Sequence, residues 1–113
     1  MLGSDEIRLY ISRPGEISDR RLLSRYESLL TDAEQVQMAR FHHRHHRHQF
    51  LVTRALVRSS LSACHATEPA DWRFDRNEYG KPGVIHPDTD PPLQFNLSHA
   101  DGIIICGIAL KNE

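Results

Sequence analysis

The spacing of apolar positions changes several times along the chain, and each change marks an element. Residues 6–11 alternate, Ile7, Leu9 and Ile11 against Arg8 and Tyr10, which is the period of a half-buried strand. Arg13-Pro14-Gly15 ends it. Ser18 is placed to cap a helix reaching about Leu30, with Leu22, Leu23, Tyr26, Leu29 and Leu30 on one face. Thr31-Asp32-Ala33-Glu34 has the spacing of a capping box and predicts a second, short helix to about Phe41. From Phe50 to about Cys64 the spacing is helical again, with Leu51, Ala55, Leu56, Val57 and Leu61 in register. Pro69 breaks the chain before Trp72-Arg73-Phe74-Asp75, which alternates as a strand with Trp72 and Phe74 facing the core. Residues 88–92 read as a rigid polar loop. Phe95 and Leu97 bracket a second strand of this half, and residues 102–110 form a third whose apolar centre is nearly continuous, the pattern of a strand covered on both faces.

These elements predict one α+β domain over residues 1–113: a small antiparallel sheet of three or four strands packed by two or three helices. The longest helix lies across the sheet. With 39% hydrophobic and 26% charged residues the composition is that of a globular chain, and no apolar run approaches the roughly 20 residues that span a bilayer. The first residues lack the basic flank and apolar stretch of a signal peptide. Cys64 and Cys106 are isolated and read as buried thiols of a reducing compartment, the cytoplasm being the expected one.

The net charge of −1 conceals an uneven distribution. No acid occurs between Glu34 and Glu68, where Arg40, Arg44, Arg47, Arg54 and Arg58 lie among histidines. That segregation points to a local anion site. Arg47, Arg54 and Arg58, at spacings of seven and four, fall near one stripe of the long helix. Such stripes are usually solvated; guanidinium groups facing phosphates are the alternative. The run His42-His43-Arg44-His45-His46-Arg47-His48 admits three readings: a solvated helix start, an anion site, or a metal pair from His42 and His46. Neighbouring arginines repel a cation, so no metal site is assigned to it. Further on, Asn77-Glu78-Tyr79-Gly80-Lys81-Pro82 is a turn in which Gly80 takes a positive φ, Lys81 is held outward and Pro82 stiffens the exit. Gln94-Phe95-Asn96-Leu97-Ser98-His99 ends an apolar strand in a hydroxyl and an imidazole. Each piece alone is an ordinary polar corner; a lysine, a serine and a histidine brought together suit phosphate oxygens.

The pair of motifs, Glu78-Tyr79-Gly80-Lys81-Pro82 followed by Phe95-Asn96-Leu97-Ser98-His99, resembles the 4'-phosphopantetheinyl transferases of the Sfp type, whose amino-terminal half carries "xEYGKP" and then "FNxSH". The similarity runs back through residues 41–61 and covers roughly residues 20–110. It implies one lobe of a pseudo-twofold fold with coenzyme A in the cleft between two lobes. It also implies transfer of phosphopantetheine from coenzyme A to a serine of an acyl or peptidyl carrier protein, with release of adenosine 3',5'-bisphosphate.

By the resemblance, Lys81, Ser98 and His99 hold phosphate oxygens, Gly80 and Pro82 shape the approach, and Arg47 and Arg54 reach the nucleotide phosphates, while Arg58 is structural. Where the family brings basic residues toward the 3'-phosphate, this chain has Glu34 and Gln37. The family's magnesium acids, in "G-[IV]-D-x-E" and "W-x-x-K-E", have no counterpart here, and Asp101 reads as a turn residue. The expectation is therefore a coenzyme A-gripping half without the catalytic carboxy-terminal lobe, inactive alone, completed by that lobe or by self-association through an exposed apolar face. Neither a nucleic acid nor a membrane is an expected partner on this reading. A non-catalytic nucleotide or nucleic-acid module using the Arg/His helix, and an interaction lobe with vestigial sites, are the alternatives.

Overall fold

A computed structural model describes residues 2–76 and 78–110. Three strands form one antiparallel sheet: β1 (Ile7–Ser12), β4 (Leu93–Ala100) and β5 (Ile103–Leu110), in the order β1-β5-β4. A separate hairpin pairs β2 (Arg73–Arg76) with β3 (Pro82–His86). Three helices accompany them: α1 (Arg20–Leu29), α2 (Asp32–Ala39) and α3 (Arg44–Cys64). The α+β class and the small antiparallel sheet are as expected. β3 is an element that the sequence reading lacked. Pro82 opens it, a position where a missing N–H costs no ladder bond.

The core lies between α3 and one face of the sheet. Val57, Leu61 and Cys64 of α3 meet Leu93 and Phe95 of β4 and Cys106 and Ile108 of β5, with Trp72 closing one end. Trp72 is fully buried, and its indole N–H donates to Ser62 Oγ at 2.8 Å, so the large ring carries no unpaired donor into the core. Phe74 packs edge-on against Phe95, with ring centroids 5.5 Å apart.

The turn between β4 and β5 is the two-residue pair Asp101-Gly102, with φ of +49° and +78°. Positive φ at both positions is the type I′ hairpin geometry that matches the twist of the strands. Asp101 is thus a turn residue, as its place in the sequence suggested. The register that follows puts Leu97 opposite Cys106, Ser98 opposite Ile105 and His99 opposite Ile104.

Several local expectations are corrected. Asp19, rather than Ser18, caps α1: its Oδ1 accepts from the amides of Arg21 (2.9 Å) and Leu22 (3.5 Å). In α2 the capping box is complete, with Glu34 N donating to Thr31 Oγ1 at 3.1 Å and Thr31 N donating to Glu34 Oε1 at 2.9 Å. The helix stops at Ala39, short of Phe41, whose ring instead packs on Phe50 with centroids 5.6 Å apart. α3 begins only at Arg44, so His42 precedes the helix and does not share a helical face with His46.

The strand at residues 7–12 is present, but with its faces exchanged. Ile7, Leu9 and Ile11 are 70%, 64% and 58% exposed, whereas Arg8, Tyr10 and Ser12 turn toward α3. Pairing with β5 sets this parity, because Tyr10 lies opposite buried Cys106 and Arg8 opposite buried Ile108. β5 is likewise not covered on both faces. Ile104, Cys106 and Ile108 are buried under α3, while Ile103, Ile105 and Gly107 on the other face are only half-buried.

Candidate functional site

Three hollows among the described residues take up Arg54, Lys81, Pro82 and His99 of the expected site residues, while Arg47, Gly80 and Ser98 line none of the three. The first, about 630 Å³, is bounded by the Pro14–Glu16 turn, the start of α3 and the β4–β5 hairpin; Arg13, His45, Gln49 and His99 line it. Gln49 and His99 meet there, amide nitrogen to Nδ1 at 3.3 Å. With Nδ1 engaged, Nε2 is the ring nitrogen left for a ligand. His48, one residue before Gln49, instead contacts the Pro14 carbonyl through Nε2 at 2.8 Å and so ties the turn to the helix.

The second hollow, about 610 Å³, lies between α2, α3 and the β2–β3 hairpin, with Glu34, Gln37, Arg54, Arg58, Arg73 and Arg76 on its walls. The third, about 450 Å³, holds Lys81 beside Arg76, Leu93 and Gln94. Asp75, Arg76, Pro82 and Ile85 border both, so the two form one groove along the hairpin. Gly80 takes φ +79° as expected, and Arg76 Nη1 donates to its carbonyl at 2.7 Å, which fixes the bend that presents Lys81. Asn77, at the head of the motif, lies outside the described residues.

Lys81 and His99 therefore do not converge on one point. Lys81 belongs to the groove beside Leu93, near the start of β4, and His99 to the hollow at its other end. Leu93 and His99, which mark the two ends, stand about 20 Å apart along the strand, at roughly 3.3 Å per residue. Nor do Ser98 and His99 point the same way. Both lie inside the β4 ladder rather than beyond its tip, and successive strand residues face opposite sides. His99 shares the helix side with Ile104; Ser98 is exposed on the outer side with Ile105.

The arginines of α3 also separate. Arg58 is fully buried and donates to the carbonyls of Pro69 (3.0 Å) and Trp72 (2.8 Å) and to Glu34 Oε1, with its guanidinium over the Phe74 ring. It is a structural clamp joining α2, α3 and the approach to β2, as expected. Arg54 pairs with the other Glu34 oxygen at 3.6 Å and stacks on Phe50. Burial lowers its pKa, and Arg76 and Arg58 push the same way against the opposing pull of Glu34. Arg47 donates to the carbonyls of Phe41 (2.6 Å) and His42 (3.0 Å), so it fastens the turn before α3. Glu34 is thus the acid that the basic stretch lacked. It comes from another helix, and nothing in local spacing signals that contact. Gln49 and Arg76 were also missed, since a glutamine within an Arg/His run and an arginine before a turn have no distinctive pattern.

Among the described residues, no group of three or more histidine, cysteine, aspartate or glutamate side chains is placed to hold a metal ion. Nor is any described helix long and apolar enough to cross a membrane.

Residues 18–109 match the family model described as "4'-phosphopantetheinyl transferase, N-terminal". The chain belongs to this family. The 4'-phosphopantetheinyl transferase Sfp of Bacillus subtilis (strain 168) is 33% identical over 98 residues, 87% of this chain and 41% of that protein. The transferase HetI of Nostoc sp. (strain PCC 7120) is 30% identical over 105 residues, covering 93% of this chain and 44% of its own length. The chain thus spans less than half the length of these curated relatives. Its fold is shared with the holo-[acyl-carrier-protein] synthase of Helicobacter pylori, solved in complex with coenzyme A, at 13% identity and a TM-score of 0.66, with 94% of this chain and all of that one covered.

Proposed function

We propose that this phosphopantetheinyl transferase lobe grips coenzyme A for transfer of phosphopantetheine to a carrier-protein serine. One observation supports the reading most: in a chain of this family, the turn bearing Lys81 borders a groove that also carries Arg54, Arg73 and Arg76. Against these cations the groove walls set only Glu34 and Asp75. Phosphate oxygens offered to such a groove meet one point charge and several guanidinium forks.

Coenzyme A is long: its 3'-phosphate and diphosphate share one ribose, and its pantetheine arm extends well beyond them. A ligand of that kind is served by two stations. Lys81 and Arg54 act at the groove, with Gly80 and Pro82 shaping the bend, and His99 acts through Nε2 at the other end of β4. Arg47 joins them by exchanging its two carbonyl partners for phosphate oxygens. Ser98 contributes its hydroxyl where a second lobe or copy closes over the outer face. Charge-assisted contacts of this kind are worth roughly 1.5–3 kcal/mol each when shielded from water.

In the reaction, the carrier serine oxygen attacks the β-phosphorus, the bond to the α-phosphate oxygen breaks, and adenosine 3',5'-bisphosphate leaves. The divalent metal such a step requires, magnesium in the expected reading, finds no site of its own among the described residues. Its ligands and the base for the serine proton are assigned to the complementing lobe. The place of action is the cytoplasm, where coenzyme A and carrier proteins for fatty-acid, polyketide or peptide assembly meet.

Calorimetric titration tests the grip. Coenzyme A should bind at least several-fold tighter than dephospho-coenzyme A, and Lys81→Ala and His99→Ala should each weaken it by roughly tenfold or more. Equal affinity for both ligands and both variants would remove the proposal. Preference for single-stranded nucleic acid, with a steep salt slope, would transfer the site to the alternative reading. Mixed with coenzyme A, magnesium and apo-carrier protein, residues 1–113 alone should add no mass to the carrier; turnover by the pure chain would show that the described residues hold more of the machinery than is assigned to them.

A further inference from the structure

The carboxylate of Glu34 is only half used. The residue is 9% exposed, and its Oε1 accepts from the Thr31 amide at 2.9 Å and from Arg58 Nη2. Its Oε2 is buried and accepts no hydrogen bond among the described residues; Arg54 Nε stands 3.6 Å from it, within ion-pair range but too far for a hydrogen bond. Arg54 is in the matching state. Among the described residues no carbonyl or side chain accepts a hydrogen bond from its guanidinium, which is held by that ion pair and by the Phe50 ring, 5.3 Å from its Cζ. Arg58, by contrast, also binds the carbonyls of Pro69 and Trp72, so it keeps its grip on Oε1 whatever Arg54 does. A buried acceptor left unmet beside a guanidinium left unmet is a poor arrangement for stability alone.

We infer that Glu34 sets how tightly the groove holds phosphate, by competing with the ligand for Arg54. The inference rests on the coenzyme A reading above, in which Arg54 serves phosphate oxygens, and adds a positioning residue to it. Two phosphate oxygens offer the guanidinium two hydrogen bonds at once; Glu34 offers it none. Arg54 therefore leaves Oε2 for a ligand in the hollow that it lines with Arg73 and Arg76. Glu34 does not follow, because Thr31 and Arg58 hold Oε1. Its charge stays on the wall of that hollow and repels the bound anion. The lost ion pair and the lasting repulsion both weaken the grip. They outweigh any benefit of a pre-set guanidinium: a charge in a partly desolvated hollow acts over several residues' reach, whereas a side chain held at 3.6 Å without a hydrogen bond is barely fixed.

The test removes the charge and keeps the acceptor. Glu34→Gln leaves an oxygen for Thr31 and Arg58, and calorimetric titration with adenosine 3',5'-bisphosphate and with coenzyme A should show about tenfold tighter binding of both. Its denaturation midpoint should fall at the same time, because Arg58 loses its ion pair. A merely structural Glu34 would move the two readouts together, loosening the ligand as the fold weakens. In the Arg54→Ala background the gain from Glu34→Gln should shrink to about threefold or less, since repulsion remains there without competition. Unchanged or weaker binding by Glu34→Gln, or a full gain without Arg54, overturns the inference. If Glu34→Gln folds too poorly to titrate, proton–nitrogen spectra of the wild-type arginine side chains decide. The Arg54 Nε–H resonance should move on saturation with the bisphosphate while that of Arg58 stays, and an Arg54 resonance that does not move overturns the inference equally. A wild-type chain that binds neither ligand ends the coenzyme A reading and this inference with it; binding by the wild type with no gain in the variant ends this inference alone.

Discussion

The two halves of α3 carry the same residue type to opposite ends. In the carboxy-terminal half, Arg58 is sealed under Trp72 and clamped to Glu34, and every turn contributes to the core. In the amino-terminal half, Arg47 and His48 fasten loops near the surface, and His45 and Gln49 line an open hollow. What separates them is the packing partner rather than the helix. α2 delivers a carboxylate to Arg54 and Arg58, while the other end of α3 meets the Phe41-His42 turn, the Pro14 turn and the β4–β5 hairpin. A basic stripe read from spacing is therefore divided by tertiary contacts into a part paired with an acid and a part that fastens surface loops.

The sharpest way to break this contrast is Arg58→Ala. It leaves Glu34 buried without its main partner and removes bonds to two carbonyls, so a loss of about 3–5 kcal/mol is expected in urea denaturation. A loss under about 1 kcal/mol would mean that the clamp is not structural.

A smaller effect probes the core beneath the same half. Burial pushes the Cys106 thiol up to about 11, above its ordinary value of 9.0. The protonated thiol is the form the core favours, so its contribution is fully present below pH 9 and is lost as pH rises through about 11. Between those values stability should fall by about 1.4 kcal/mol per pH unit. Cys106→Ala should flatten that slope, and an unchanged slope would place its origin elsewhere.

The smallest stability change is expected at the rim. Arg47→Ala and Gln49→Ala should each shift the denaturation midpoint by less than about 1 kcal/mol, since both side chains are engaged near solvent. Gln49→Ala should nevertheless weaken coenzyme A binding through His99. Wild-type binding in that variant would leave the amide no role at the ligand.

The sequence made most of this fold legible, because the periods of α3, β4 and β5 are long and the capping box at Thr31 is a local code. It misled at β1, where alternation shows that two faces differ but not which of them is covered. Tyr10 reaches the core through Cys64 and Cys106 while the aliphatics face out, a choice made by pairing with β5. β3 was hidden because Pro82, which opens it, reads as the stiff exit of the turn before it. The motifs at Lys81 and at Ser98-His99 were visible as chemistry, yet their separation was not, since distance across a sheet has no trace in adjacent residues. Glu34 was visible as a cap, but its pairing with two arginines was not.

The Asp101-Gly102 bend fixes more than the path of the chain. A two-residue loop counts the strands into step, and that count decides which of two neighbouring side chains looks toward the helix. One residue added to it would exchange the outlooks of Ser98 and His99, handing the imidazole to the uncharged side and the hydroxyl to the hollow. Sensitivity to loop length there, joined by sensitivity to any replacement of Gly102 at its φ of +78°, is the mark this hairpin should leave on any set of variants.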